Sequence, residues 1–133
     1  MKKKLIKLSI DTNFSLIGIS TRLSAHKLGW LLNTQLETNF KQVGDLLLAD
    51  IHYAVYEHNA KSDLTYKLIE NKNKSGTFIK KLNNIDYLLK VEGDFSEKHI
   101  ETLVKRIRET DNIIACLSIN NQNLKQKELD LLG

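Results

Sequence analysis

Residues 85–119 constrain this chain more than any other stretch, because they read as a complete strand–helix–strand unit around which the remainder must pack. Ile85, Tyr87, Leu89 and Val91 alternate with Asp86, Lys90 and Glu92, and Leu88 alone falls out of step. Period-two alternation is the signature of a strand with one buried face. Gly93-Asp94 ends the strand, and Ser96 then caps a helix by accepting a hydrogen bond from a free N–H of its first turn. Phe95 and Ile100 flank the cap as a hydrophobic staple. Ile100, Leu103, Val104 and Ile107 recur at helical spacing and define the buried side. Lys105, Arg106 and Arg108 suit the negative end of the helix dipole. Residues 113–119 are apolar almost throughout, which predicts an interior strand. Short loops between the three elements predict a right-handed parallel crossover.

The flanking segments have patterns of their own. Residues 4–10 read as a strand with Ile6, Leu8 and Ile10 on one side, and Asp11-Thr12-Asn13 as a turn into a more apolar strand over 14–21, the two pairing as a hairpin. Ser24 caps the first long helix, stapled by Leu23 and Leu28, with Ala25, Leu28, Leu31, Leu32, Gln35 and Leu36 inward. A short strand is expected over 40–43, then a turn or bulge at Gly44-Asp45. Ile51, Tyr53 and Val55 alternate with His52, Ala54 and Tyr56; after a turn over 59–62, Leu64, Tyr66 and Leu68 alternate with Thr65, Lys67 and Ile69. That is an antiparallel hairpin. Residues 70–76 read as a polar loop and 77–81 as a short strand entering the 85–119 unit. Beyond the polar break at 120–123, Leu124, Glu128, Leu131 and Leu132 fit one side of a weak helix, with a frayed tail as the alternative. The element order predicts an α+β fold: a mostly antiparallel sheet with two main helices on one face, ferredoxin-like (βαβ-containing) with extra strands. One domain is expected over 1–122, with 123–133 as a C-terminal tail or short helix.

The nine residues 79–87, Ile-Lys-Lys-Leu-Asn-Asn-Ile-Asp-Tyr, resemble the signature of the IPExxxVDY family of short uncharacterised bacterial proteins. Ile79, Asp86 and Tyr87 are identical to it, Ile85 stands for its valine, and Lys80 and Lys81 replace its proline and glutamate. Leu16-Ile17-Gly18-Ile19 and Lys27-Leu28-Gly29-Trp30-Leu31-Leu32-Asn33 are similar to that family's first strand and helix. The resemblance implies a small bacterial domain and no particular activity. It transfers no role to Lys80 or Lys81.

Composition narrows the function classes. At 133 residues, 41% hydrophobic and 27% charged, the chain suits one globular domain with a real core. A single cysteine gives no intramolecular disulfide framework and fits a reducing compartment. Lys2, Lys3 and Lys4 mimic the basic part of a signal peptide, but Lys7 and Asp11 interrupt the apolar run, and no stretch approaches the roughly 20 apolar residues that span a bilayer. A soluble, cytoplasmic protein is expected. The net charge of +4 comes from 17 lysines and only 3 arginines against 16 acids. That bias disfavours specific nucleic-acid recognition, which favours the planar guanidinium.

Candidate chemistry is sparse. Cys116, within an apolar strand, reads as a buried, inert thiol. His52 and His58 share a strand face with Asp50 and Tyr56, the best metal or acid–base grouping; six residues along a strand nevertheless separate two side chains by about 20 Å. His26 and His99 each sit in a first helical turn. Asp86 is expected in solvent or in a loop hydrogen bond, and Tyr87 in the core with its hydroxyl needing a partner. No glycine-rich phosphate loop, metal-spaced Cys/His cluster or nucleophile elbow occurs, so neither cofactor nor catalysis is expected. Lys72, Lys74, Lys80 and Lys81, with Lys2–Lys4, offer a weak basic rim for salt-sensitive nucleic-acid binding, interrupted by Glu70. Trp30 lies opposite the inner face of its helix, either covered by another segment or forming a protein contact. The expectation is a non-enzymatic protein-interaction or homodimerisation module. The alternatives are an ACT-like small-ligand regulatory domain, with its site over 19–24, and weak nucleic-acid binding; no membrane partner is expected.

Overall fold

The computed structural model describes residues 14–59 and 64–133. The elements follow as β1 (Phe14–Thr21), α1 (Ala25–Leu36), β2 (Lys41–Leu48), β3 (Ile51–Asn59), β4 (Leu64–Glu70), β5 (Lys72–Asn73), β6 (Gly76–Thr77), β7 (Tyr87–Gly93), α2 (Glu97–Arg108), β8 (Ile113–Ile119) and α3 (Gln126–Leu132), with short 3-10 turns at Lys80–Leu82 and Asn121–Asn123. Six strands form one antiparallel sheet in the order β2-β3-β4-β7-β1-β8, and β5-β6 form a separate two-stranded ribbon. The fold is α+β.

The sheet carries a core on each side. α1 and α2 bury Leu28, Leu32, Ile100, Leu103 and Ile107 against Ile17, Ile19, Tyr87, Leu89 and Val91 on the front. The alternation over 85–91 predicted a solvated reverse face, but Leu88 and Lys90 are buried there too. They lie under α3 and the 78–85 segment, whose Phe78, Ile79, Ile85, Leu124, Leu129 and Leu132 share a second cluster with Phe14, Leu16 and Leu88. Ile85 precedes β7 and turns to this back core, not to the front with Tyr87. Gly18 makes room for it: a Cβ there would sit 2.9 Å from Ile119 Cδ1 and 3.0 Å from Ile85 Cδ1.

The strand–helix–strand unit forms, but its strands are not neighbours. β1 lies between β7 and β8 and pairs antiparallel with both, Ile19 opposite Tyr87 on one side and Cys116 on the other. The two ends of the unit thus run in the same direction with a strand inserted between them, and among the described residues β8 lies at the edge of the sheet, where its apolar sequence predicted an interior strand. The hairpin expected between residues 4–10 and 14–21 falls in part outside the described residues, as do Asp11-Thr12-Asn13 and most of the 59–62 turn.

Local signals explain most elements. The Ser24 and Ser96 side chains accept from Lys27 N (3.4 Å) and His99 N (3.1 Å), as N-caps do. β2 runs on to Leu48, well past the expected 40–43, because Gly44 (φ 151°) absorbs a bulge instead of turning the chain. The reversal comes at Ala49-Asp50, both left-handed (φ 51° and 64°), which makes a tight hairpin turn without glycine. The expected strand over 77–81 is shorter: β6 ends at Thr77 and a 3-10 turn follows at Lys80–Leu82. Gln35, assigned inward, is exposed.

On the back face Lys90 is 1% exposed. Its Nζ donates to the Leu132 carbonyl at the end of α3 (2.5 Å), pairs with Glu92 Oε2 (2.6 Å) and lies 4.8 Å from the centre of the Phe14 ring. Burial opposes the charge on Glu92, but Lys90 and Lys67 together outweigh it and hold the carboxyl below its usual range.

Candidate interaction surfaces

The residues of the 79–87 signature are engaged in holding the fold. Ile79 and Ile85 fill the back core. Asp86 Oδ2 accepts from Thr21 N (2.9 Å), Oδ1 lies 3.6 Å from Lys72 Nζ, and the Tyr87 hydroxyl donates to the Leu23 carbonyl (2.6 Å). Together they pin the β1–α1 connection to the start of β7. Burial, with Glu70, Asp86 and Tyr56 nearby, pushes the Tyr87 hydroxyl far up, so it stays a neutral donor. The organising residue is one that sequence reasoning passed over. Asn71, fully buried, donates to the Leu82 and Ile85 carbonyls (3.0 and 2.9 Å) and accepts from Ile79 N (2.8 Å). Its main chain adds bonds to the Asp86 carbonyl (2.9 Å) and from Phe78 N (2.7 Å).

In the 19–24 connection, where an ACT-like ligand would sit, the Ser20 and Thr21 hydroxyls are engaged within the fold. Ser20 Oγ donates to the Asn84 carbonyl (3.0 Å), Thr21 Oγ1 donates to the Asn112 carbonyl (2.6 Å), and the same hydroxyl accepts from Leu23 N (3.2 Å). The lysine rim is likewise partly spent: Lys72 pairs with Asp86, and Lys81 donates to the Asn123 carbonyl. Lys74 and Lys80 are exposed, and Lys2–Lys4 lie outside the described residues.

His52 and His58 do not converge. His52 faces Asp45 at 3.5 Å near one end of β3. His58 instead joins an aromatic group with Phe40 and Tyr66, whose hydroxyl meets His99 Nε2 at 2.7 Å. No cluster of three metal-ligating side chains occurs among the described residues. His58 Nδ1 accepts from Asn39 N (3.0 Å), so the bond needs that nitrogen unprotonated, and burial lowers the imidazole pKa from its usual 6.5. As pH falls through 6.5 the unfolded chain takes up the proton first, so the stability His58 contributes is complete above that value and is lost below it. Urea midpoints are therefore expected to fall more between pH 7 and 5 in the wild type than in His58→Gln. Equal falls would sink this assignment.

Cys116 is buried beneath α2, as expected, and burial raises its thiol to about 11 against the opposing pull of Arg108, which favours the protonated form near neutral pH.

Several large apolar side chains also reach the surface. Trp30 is 67% exposed on the outer side of α1; none of the described segments covers it. At the β8 edge Ile114 is 67% and Leu117 43% exposed. The opposite edge also exposes apolar side chains, Val43 at 59% and Leu47 at 61%, but β2 carries Lys41, Asp45 and the Gly44 bulge, the usual devices that discourage strand addition. No helix among the described residues is long and apolar enough to cross a membrane. Compared with known proteins, the chain matches no family model and no curated protein.

Proposed function

We propose that this protein works by binding protein: a small, non-enzymatic interaction module whose contact surfaces are the β8 edge and the exposed Trp30. The observation that carries this reading is the state of β8, which among the described residues is an edge strand with neither charge nor proline over its seven residues and with two large apolar side chains in solvent. Natural proteins blunt such edges unless something pairs with them. The titratable residues that could have suggested chemistry are instead committed to the fold, as Asp86, Tyr87 and Lys90 illustrate. Within this reading, β4-β7-β1-β8 with α1 and α2 on one side is a ferredoxin-like core, the β2–β3 hairpin extends it, and the likeness of residues 79–87 to the IPExxxVDY signature reflects the need to fasten the 78–86 segment.

Affinity capture from cells that make the chain naturally tests the proposal, with wild type, Leu117→Lys and Trp30→Ala as baits. A protein retained by the wild type and lost with either variant supports it. Identical captures with all three baits would remove both surfaces from consideration.

A further inference from the structure

The β8 edge continues into a groove of about 730 Å³ beside α2. Phe95, Ile100 and Val104 supply its apolar lining from α2 and the residues before it, and Leu117 and Ser118 of β8 border it. Four charged residues of α2 border the same groove in a fixed order: Glu97 and Glu101 in the first half of the helix, Lys105 and Arg108 in the second. Among the described residues β8 pairs only with β1, and the one side chain bonded to its main chain is Arg108, whose Nη2 donates to the Cys116 carbonyl (2.8 Å).

From this arrangement we infer that the occupant of the edge is a second copy of the chain, joined β8 to β8 antiparallel about a two-fold axis. The inference rests on the interaction reading above and specifies its partner. A two-fold operation presents the same patch on both copies, so a surface can serve only if it complements itself. An antiparallel β8 pair sets the neighbouring α2 helices antiparallel as well. The Glu97–Glu101 half of one helix then faces the Lys105–Arg108 half of the other, twice over, and every charge bordering the groove meets its opposite. A parallel two-fold pairing would turn one sheet over and put the two α2 helices on opposite faces, where their charges do not meet. Strand pairing satisfies the free edge groups and makes one sheet continuous across both copies, the main-chain contacts giving affinity and the helix charges giving orientation. Leu117 and Ile114 leave solvent at the seam. An extended peptide from another protein could also add to the edge, but its charges would have no reason to match the acid–acid–base–base order of α2.

Sedimentation equilibrium over a wide concentration range tests the inference on the full chain. The wild type is expected to be a dimer, and Leu117→Lys, a change at an exposed position that puts a charge at the seam, a monomer with unchanged circular dichroism. The variant E97K/E101K makes the helix border wholly basic and K105E/R108E makes it wholly acidic. Each alone is expected to self-associate about tenfold or more weakly, and an equimolar mixture is expected to recover the wild-type dimer mass. Trp30→Ala is expected to leave the mass unchanged. A wild type that stays monomeric, a dimer that survives Leu117→Lys, or a charge-reversed pair that does not recover would each overturn the β8 dimer. The capture experiment separates the two ideas: a monomeric chain with a partner sensitive to Leu117→Lys removes the second copy and keeps the interaction reading.

Discussion

Asn71→Asp is expected to cost about 4 kcal/mol of unfolding free energy, most of what a small domain can lose while staying folded. The exchange preserves shape and the acceptor that Ile79 N uses, but removes both donors that serve Leu82 and Ile85. It also sets a carboxylate against two carbonyl oxygens in a place with no access to water. Asn71→Ala removes all three side-chain bonds without adding charge and is expected to cost about 3 kcal/mol. Urea unfolding measures both. The damage is local first: hydrogen exchange at Ile79 and Ile85 should speed up before that of the sheet. A loss below about 1 kcal/mol for the aspartate would mean that the 78–86 segment holds its shape without this side chain.

The second large effect concerns Lys90. Lys90→Ala is expected to cost about 3 kcal/mol, since it leaves a cavity and strips the Leu132 carbonyl of its donor. Glu92 would not be stranded, because it is partly exposed and also meets Lys67 at 3.5 Å. Lys90→Met keeps the volume and is expected to cost about half as much. α3 spans seven residues, too few to persist without packing, so its attachment depends on Leu129, Leu132 and this ammonium. Limited proteolysis is expected to cut 124–133 of Lys90→Ala well before the sheet yields. Equal protection in both proteins would show that apolar burial alone retains α3.

The parts of the fold that could be read from sequence were those set by near neighbours. The Ser24 and Ser96 caps, the Phe95–Ile100 staple and the alternation across β3 and β4 are each contained within a few residues, and each appears where expected. What escaped depends on segments far apart in the chain. An uncharged strand looks the same whether it lies inside a sheet or at an unblunted edge, and only the pairing order places β8 at the rim. Lys90 looked solvated because alternation cannot report that α3 will cover its side of the sheet; Leu88, out of step, was the one hint. Asn71 sat in a polar loop, with partners 8, 11 and 14 residues away that no helical or strand period connects. Among the interface candidates, the outward position of Trp30 followed from helical geometry, whereas Ile114 and Leu117 had been assigned to the interior.

The placement of β1 between β7 and β8 also sets a schedule. This strand leaves the ribosome early, yet its residue Ile19 must wait for Tyr87 on one flank and Cys116 on the other. At cellular elongation rates that wait is on the order of ten seconds. Until β7 emerges, one of the most apolar segments of the chain lacks both of its described strand partners, while the β3–β4 hairpin can already close. Assembly of the sheet centre therefore waits until both β7 and β8 have been made.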